Sequence, residues 1–418
     1  MKHLILHTFF IIIFTSTLFS QSDWVIYKPN NSGLPFISIA ALAIDGTGNI
    51  WIGGNLGPLT KFYDGEWTVY SSYGIPGPAI SIATDASNNV WIGTQNAGLT
   101  KFDGTSSTVY STSNSGLPHN EVRSIIVDKN GKIWAGTAEG VVIFDGSNWT
   151  VYNTSNSNLP HNNIFALAID NDNNVWVGTL GGLAKSDGSG WEFYNTDNSD
   201  LPHNNVFSIA IDSNGDKWIG TMGGLAKFSS TGWTVYNQTN SGLPANRVNC
   251  IVIDGIDNKW IGTTAGGVAK YDGSTWTIFN ESNSQLPYNS VYALALETNG
   301  NKWIGTYGGL AVYREGGVVS VEEILESIPN EFMLLQNYPN PFNPETIIGY
   351  QVPVGADVSL KVYDVSGKKV ITLVNQFQNA GRYNVIFGNI GSELSSGVYF
   401  YTLQAGNFKE TKKMLLLR

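Results

Sequence analysis

The chain of 418 residues has almost no cysteine. Cys250 stands alone, so no intrachain disulfide can form and no Cys/His zinc spacing exists. Charge is scarce: Asp, Glu, Lys and Arg make up 13%, about half of the usual ~25%. What charge there is leans acidic. Residues 23–328 hold 14 basic and 27 acidic side chains, a net −13, which repels phosphate backbones and argues against nucleic acid as a partner. Past the first 22 residues no apolar run is long enough to span a bilayer, so no transmembrane segment is expected after signal removal. Helical apolar spacing is missing too. The chain lacks a nucleophile elbow, a phosphate loop, a nucleophile–His–Asp set and a carboxylate pair placed by spacing. The expectation is therefore a protein that is not an enzyme and needs no cofactor or metal.

Glycine (47 residues) and aromatics (13 Trp, 19 Tyr, 19 Phe) are abundant, and 42% of residues are hydrophobic. That is too much for a disordered chain and suits many short strands joined by tight turns. The first 22 residues place Lys2 before an apolar stretch centred on Phe9–Phe14, then small residues Ser20 and Ser22. This pattern predicts a secretory signal peptide over 1–22. An uncleaved anchor helix is the alternative, weakened by Thr8, Thr15, Ser16 and Thr17.

Two markers repeat along the chain. A WIGT-like block has its Trp at Trp51, Trp91, Trp134, Trp176, Trp218, Trp260 and Trp303, spaced 40–43 residues apart. A WTVY-like block has its Trp at Trp24, Trp67, Trp149, Trp191, Trp233 and Trp276, and a copy with Ser107 in place of Trp. Each marker counts seven units. Residues 203–236 parse into strands Val206–Asp212, Lys217–Thr221, Leu225–Phe228 and Trp233–Tyr236, separated by polar or glycine turns. Four short strands per ~42 residues predict a propeller blade. The third residue of each innermost strand is small (Ala41, Ser81, Ser124, Ala166, Ser208, Cys250, Ala293), as expected where sheets converge on an axis. The array starts with a lone outer strand at Trp24–Tyr27 and ends without one after Tyr313. The expected fold is all-β: a seven-bladed β-propeller over 23–316, closed by the N-terminal strand pairing with Leu310–Tyr313 so that no open edge remains.

The text Ser208–Asp212, Gly215–Thr221 and Gly223–Phe228 (SIAID, GDKWIGT, GGLAKF) resembles the two-component-regulator propeller repeat of periplasmic sensor domains. The likeness covers about 24–316 and implies a propeller. A kinase and a second propeller are missing, so signalling does not carry over.

After a linker at 317–329 the period vanishes. Residues 330–418 show strand-like segments at Thr346–Val352, Val358–Val365, Lys369–Val374, Arg382–Phe387, Gly397–Leu403 and Phe408–Leu417. These predict a small Ig-like β-sandwich. Asn337–Pro344 (NYPNPFNP), Leu360–Gly367 (LKVYDVSG), Ser396–Tyr401 (SGVYFY) and the basic ending Lys409–Arg418 resemble the type IX secretion sorting domain, type A. That resemblance implies carriage across the outer membrane by the type IX machinery, followed by removal of the domain and release or attachment at the cell surface. An ordinary Ig-like binding module is the alternative.

The histidines His119, His161 and His203 share one repeat position, in the turn that enters the innermost strand; Tyr288 is its last copy. They suit either a polar ligand ring or local turn chemistry. A three-His metal site is disfavoured by the distance between sheets. The second residue of the innermost strand varies freely (Ala40, Ile80, Arg123, Phe165, Phe207, Asn249, Tyr292), as does the residue after the second strand, ending at Tyr307. With Arg247 these mark the candidate binding face, since a frame needs sameness and a ligand needs differences. Drift at solvent-exposed positions would look the same. The Asp that ends each innermost strand (Glu297 in the last copy) suits calcium or, more simply, an Asx turn. The functional expectation is a secreted or cell-surface binding protein whose propeller face takes a glycan, peptide or protein ligand. A propeller lyase resembling streptogramin lyases, with His161 or His203 as base, and a structural surface-layer component are the alternatives.

Overall fold

The structure is a computed structural model that describes residues 23–55, 57–71, 74–315, 329, 331–343, 345–388 and 394–417. The expected signal peptide and nearly all of the expected linker lie outside the described residues. Among the described residues every regular element is a strand.

Six repeats fold as four-stranded antiparallel meanders, and the last supplies three strands to a sheet whose fourth is Trp24–Tyr27. In one of the six, Val206–Ile211, Lys217–Thr221, Leu225–Ser229 and Gly232–Tyr236 pair in chain order. These bounds fall within a residue of those read from the turns. Gly224 makes the tight turn possible: its φ is +145°, and a Cβ there would lie 2.5 Å from the Tyr236 carbonyl oxygen. The innermost strands are Ile39–Ile44, Ala79–Thr84, Val122–Val127, Ile164–Ile169, Val206–Ile211, Val248–Ile253 and Val291–Leu296. Each packs on the next, and Val291–Leu296 also lies against Ile39–Ile44. Trp24–Tyr27 pairs antiparallel with Gly309–Tyr313, with Trp24 opposite Tyr313 and Tyr27 opposite Leu310.

The small third residue has a more specific cause than convergence on an axis. It pairs with the glycine of the WIGT block, as Ser81 does with Gly93 and Cys250 with Gly262. The glycine's other neighbour is the first residue of the next innermost strand. A Cβ on Gly93 would lie 2.1 Å from Ser81 Oγ and 2.4 Å from the Val122 carbonyl oxygen. At each of these glycines the next sheet comes too close for a side chain, through its backbone at Gly53 and Gly93 and through a Val or Ile methyl group at the others. Burial in that slot pushes the Cys250 thiol up to about 12, which leaves it unreactive.

At the far end of each innermost strand the Asp ties the hairpin together. Asp212 Oδ1 accepts the backbone N–H groups of Asn214 (3.0 Å) and Asp216 (2.9 Å), while Oδ2 accepts the Trp218 indole N–H at 2.9 Å. Equivalent indole bonds join Trp51 to Asp45, Trp91 to Asp85, Trp134 to Asp128, Trp176 to Asp170 and Trp260 to Asp254. These carboxylates accept from their own hairpins, as in an Asx turn, and Lys217 and Lys259 of the following repeats reach Asp170 and Asp212. Among the described residues no group of three His, Cys, Asp or Glu is placed to hold a metal ion.

The C-terminal part forms two sheets around one core. Lys369–Gln378, Ala356–Asp364, Gly397–Ala405 and Phe408–Leu416 make one, and Met333–Leu334, Thr346–Val352 and Gly381–Phe387 the other. Tyr350, Ile348 and Phe387 pack against Leu360, Tyr401 and Met414 between them. Two of the motif segments meet here. The buried Asn337 donates its backbone N–H to the Tyr401 hydroxyl and its amide to Thr346 Oγ1. A single parallel bridge, Tyr383 with Trp67, joins this sheet to the outer strand Glu66–Tyr70 of the first repeat.

Candidate functional site

Every innermost strand contains a β-bulge after its first residue. The pairing jumps from Val206–Thr221 to Ser208–Gly220, which leaves Phe207 unpaired. The same shift leaves Ala40, Ile80, Arg123, Phe165, Asn249 and Tyr292 unpaired in the other six. These are the seven freely varying positions. A bulge turns one side chain out of the pleat without disturbing its neighbours, which is why bulges gather at functional edges. The frame repeats while the bulge residue differs from copy to copy.

Six of the seven bulge residues line one cavity of about 320 Å³: Ala40, Ile80, Phe165, Phe207, Asn249 and Tyr292, joined by Asn55, Arg247 and Tyr307. Phe165 and Phe207 meet edge to face with centroids 5.4 Å apart. Arg247 lies 4.6 Å above the Phe207 ring and donates from Nε to Asn249 Oδ1 at 3.2 Å. The Asn249 amide is itself fixed, donating to Thr264 Oγ1 and the Val291 carbonyl oxygen, each at 2.9 Å. Arg123, the seventh bulge residue, lies 4.5 Å over Phe165 and is paired with Glu121 at 2.8 Å. It stands beside the cavity lining rather than in it. Tyr292 and Tyr307 are exposed, and Tyr307 meets the exposed Tyr288 in a tilted contact with centroids 5.6 Å apart.

The histidines are placed differently. Nδ1 of His119, His161 and His203 accepts the backbone N–H of Glu121, Asn163 and Asn205 at 2.9–3.0 Å. The following Asn braces the loop: Asn204 Oδ1 accepts the Thr196 N–H at 2.9 Å. His161 and His203 back onto Gly181 and Gly223 in the neighbouring turn. None of the three lines the cavity. Sequence reasoning collected Phe165, Phe207, Arg247, Asn249, Tyr292 and Tyr307, which the fold brings together. It missed the bulge that unites them, although seven variable residues flanked by constant ones were its visible trace. A larger hollow of about 810 Å³, lined by Leu34, Trp67, Tyr350, Phe377 and Tyr383 among others, lies between the first repeat and the C-terminal sheet.

Residues 336–417 match the family model of the secretion system C-terminal sorting domain. Residues 116–139, 158–181 and 200–223 match that of the two component regulator propeller. No curated protein matches the sequence. Among solved structures, the chain is similar to the extracellular domain of a putative hybrid two component system, BT3049, from B. thetaiotaomicron (21% identity, TM-score 0.63, covering 94% of this chain and 57% of that one). It is also similar to PorZ, a surface component of the type-IX secretion system of Porphyromonas gingivalis (20%, 0.58, 93% and 60%). A third likeness is virginiamycin B lyase from Staphylococcus aureus (13%, 0.57, 69% and 98%). The chain thus spans about three-fifths of the first two. At these identities the likeness shows the fold, which is all-β with propeller-like four-stranded blades. No helix among the described residues is long and apolar enough to cross a membrane. The chain carries two-component-regulator propeller repeats followed by a type IX sorting domain, which points to secretion and the cell surface.

Proposed function

We propose that this is a surface-delivered binding protein whose propeller, a single ring of seven blades over 23–316, holds a small ligand in the mouth formed by its bulge residues. In this reading Trp24–Tyr27 supplies the outer strand of the last blade. Its pairing with Gly309–Tyr313 and the packing of Val291–Leu296 on Ile39–Ile44 support such a closure. Residues 1–22 direct entry to the export route, 317–329 link the parts, and 330–418 engage the type IX machinery. The ligand is a glycan, a peptide or a protein loop; the compact cavity favours a small group over an extended chain.

One observation carries the reading: seven bulges of one geometry hold six different residue types, and six of the seven residues converge on one cavity. Drift could give the variety, and it is the convergence of six positions on one cavity that supports a ligand. The lyase alternative needs a free base at the cavity, and the histidines spend Nδ1 on their own turns, which favours binding over turnover. The test is capture of glycan and peptide arrays by the full chain beside Ala40→Trp, which fills the mouth, and Phe207→Ala, which removes its wall. Array signals that both substitutions abolish are expected. An empty array, or capture that neither substitution changes, would reject the proposal.

A further inference from the structure

Resting on that reading of the cavity, we infer that its ligand carries a carboxylate on a sugar ring: the site takes an acidic saccharide of the uronic acid class. Two arginines stand at this mouth in a body of net −13. Arg123 is neutralised by Glu121. Arg247 is not. It is exposed, makes no ion pair among the described residues, and holds one hydrogen bond, from Nε to Asn249. That bond and the Phe207 ring fix the guanidinium in place and leave both Nη groups free. A planar, immobilised guanidinium with its terminal donors unspent is the arrangement that takes a carboxylate through two parallel hydrogen bonds. A neutral ligand would leave its Nη donors to water.

The adjacent repeat supplies the rest. Tyr292 and Tyr307 are exposed and line the same space, and aromatic rings suit the C–H face of a sugar. At about 320 Å³ the cavity stands at the small end of the ligand-pocket range of roughly 300–1,000 Å³. That is room for a terminal saccharide unit rather than for a length of polypeptide.

The test is titration calorimetry of the full chain with methyl β-D-glucuronide and di- and trigalacturonate, against methyl β-D-glucoside and a neutral digalactoside. An acidic peptide is added as the competing class. The expected result is at least tenfold tighter binding of an acidic sugar than of its neutral counterpart, weakened by salt. Arg247→Gln removes that preference without changing the melting temperature, and Tyr307→Ala weakens acidic and neutral sugars alike. Lys129→Gln, at a hairpin whose Lys129 reaches only the Asn171 carbonyl oxygen, serves as the charge-matched control and retains the preference. Equal affinity for both sugar types, tighter binding of the peptide, no binding of any acidic sugar, or an undiminished preference in Arg247→Gln would overturn the inference. If a neutral glycan or a peptide binds and Ala40→Trp blocks it, the cavity reading survives and only the acidic specificity falls. If nothing binds on any array, both fall.

Discussion

The last repeat departs from the hairpin rule, and the departure can be repaired. In six repeats an Asp accepts the indole N–H six residues on, at 2.8–3.3 Å. In the last, Glu297 stands in that place. Its longer side chain reaches the Asn301 amide at 2.5 Å, Asn301 N–H turns to Asn299 Oδ1, and the Trp303 indole N–H has no partner. Trp303 is 3% exposed, so the donor gains no compensation from water. A buried, unsatisfied donor costs about 1–3 kcal/mol, and a bond to a charged acceptor is worth about 1.5–3 kcal/mol. Glu297→Asp should therefore stabilise the propeller by about 1–2 kcal/mol, since part of the gain goes into reordering the hairpin. In a body of this size that is a rise of roughly 2–5 °C in melting temperature. Urea denaturation followed by tryptophan fluorescence would measure it. The converse change, Asp212→Glu, should cost a similar amount. The reasoning fails if Glu297→Asp gives no gain, or if the same gain persists when Trp303 is replaced by Phe.

Other consequences follow from the same geometry. Burial works against the charge on Asp45, Asp85, Asp170 and Asp254, but the indole, Asn and backbone N–H bonds outweigh it and hold these carboxyls below the usual range. Their folded values lie below the unfolded ~3.9, so the stability they add is complete above that value and is lost as pH falls through the folded values. Urea midpoints should stay flat from pH 7 to about 5 and drop steeply below about 4; a decline that begins above pH 5 would contradict this. Gly93→Ala forces a methyl group into the Ser81–Val122 contact and should lower stability by about 1–3 kcal/mol; unaltered urea midpoints would show that the sheets can separate. Deleting 330–418 should leave the protein in the periplasm, as read by fractionation and surface labelling. Export without the tail would refute its sorting role.

Much of the fold could be read from the chain because its period is written in large, unambiguous residues. Trp and Gly mark the strands and turns of every copy, so Lys217–Thr221 was placed to the residue. The C-terminal strand Thr346–Val352 was as legible, since its turns are marked by Asn and Gly. The bulge was not legible. It is a matter of which residues pair across two strands; a variable residue between constant ones marks the position of Phe207 but does not say that it is unpaired. The glycine slot was legible only in outline for the same reason: Ser81 is small because of Gly93 and Val122, a contact with the next repeat. The histidines were ambiguous because one residue type serves both ligand and turn, and only the N–H placed at Nδ1 separates the roles.

The account as a whole depends on one continuous ring, because an open array would not gather the bulge residues around a single mouth. Val25 and Val312 stand directly opposite across the proposed closing pair. In a chain with Val25→Cys, Val312→Cys and Cys250→Ser, counting free thiols after mild oxidation tests closure directly. A closed ring predicts near-complete disulfide formation with no free thiols and a raised melting temperature. Two thiols that stay free and fully reactive in the folded protein would contradict it.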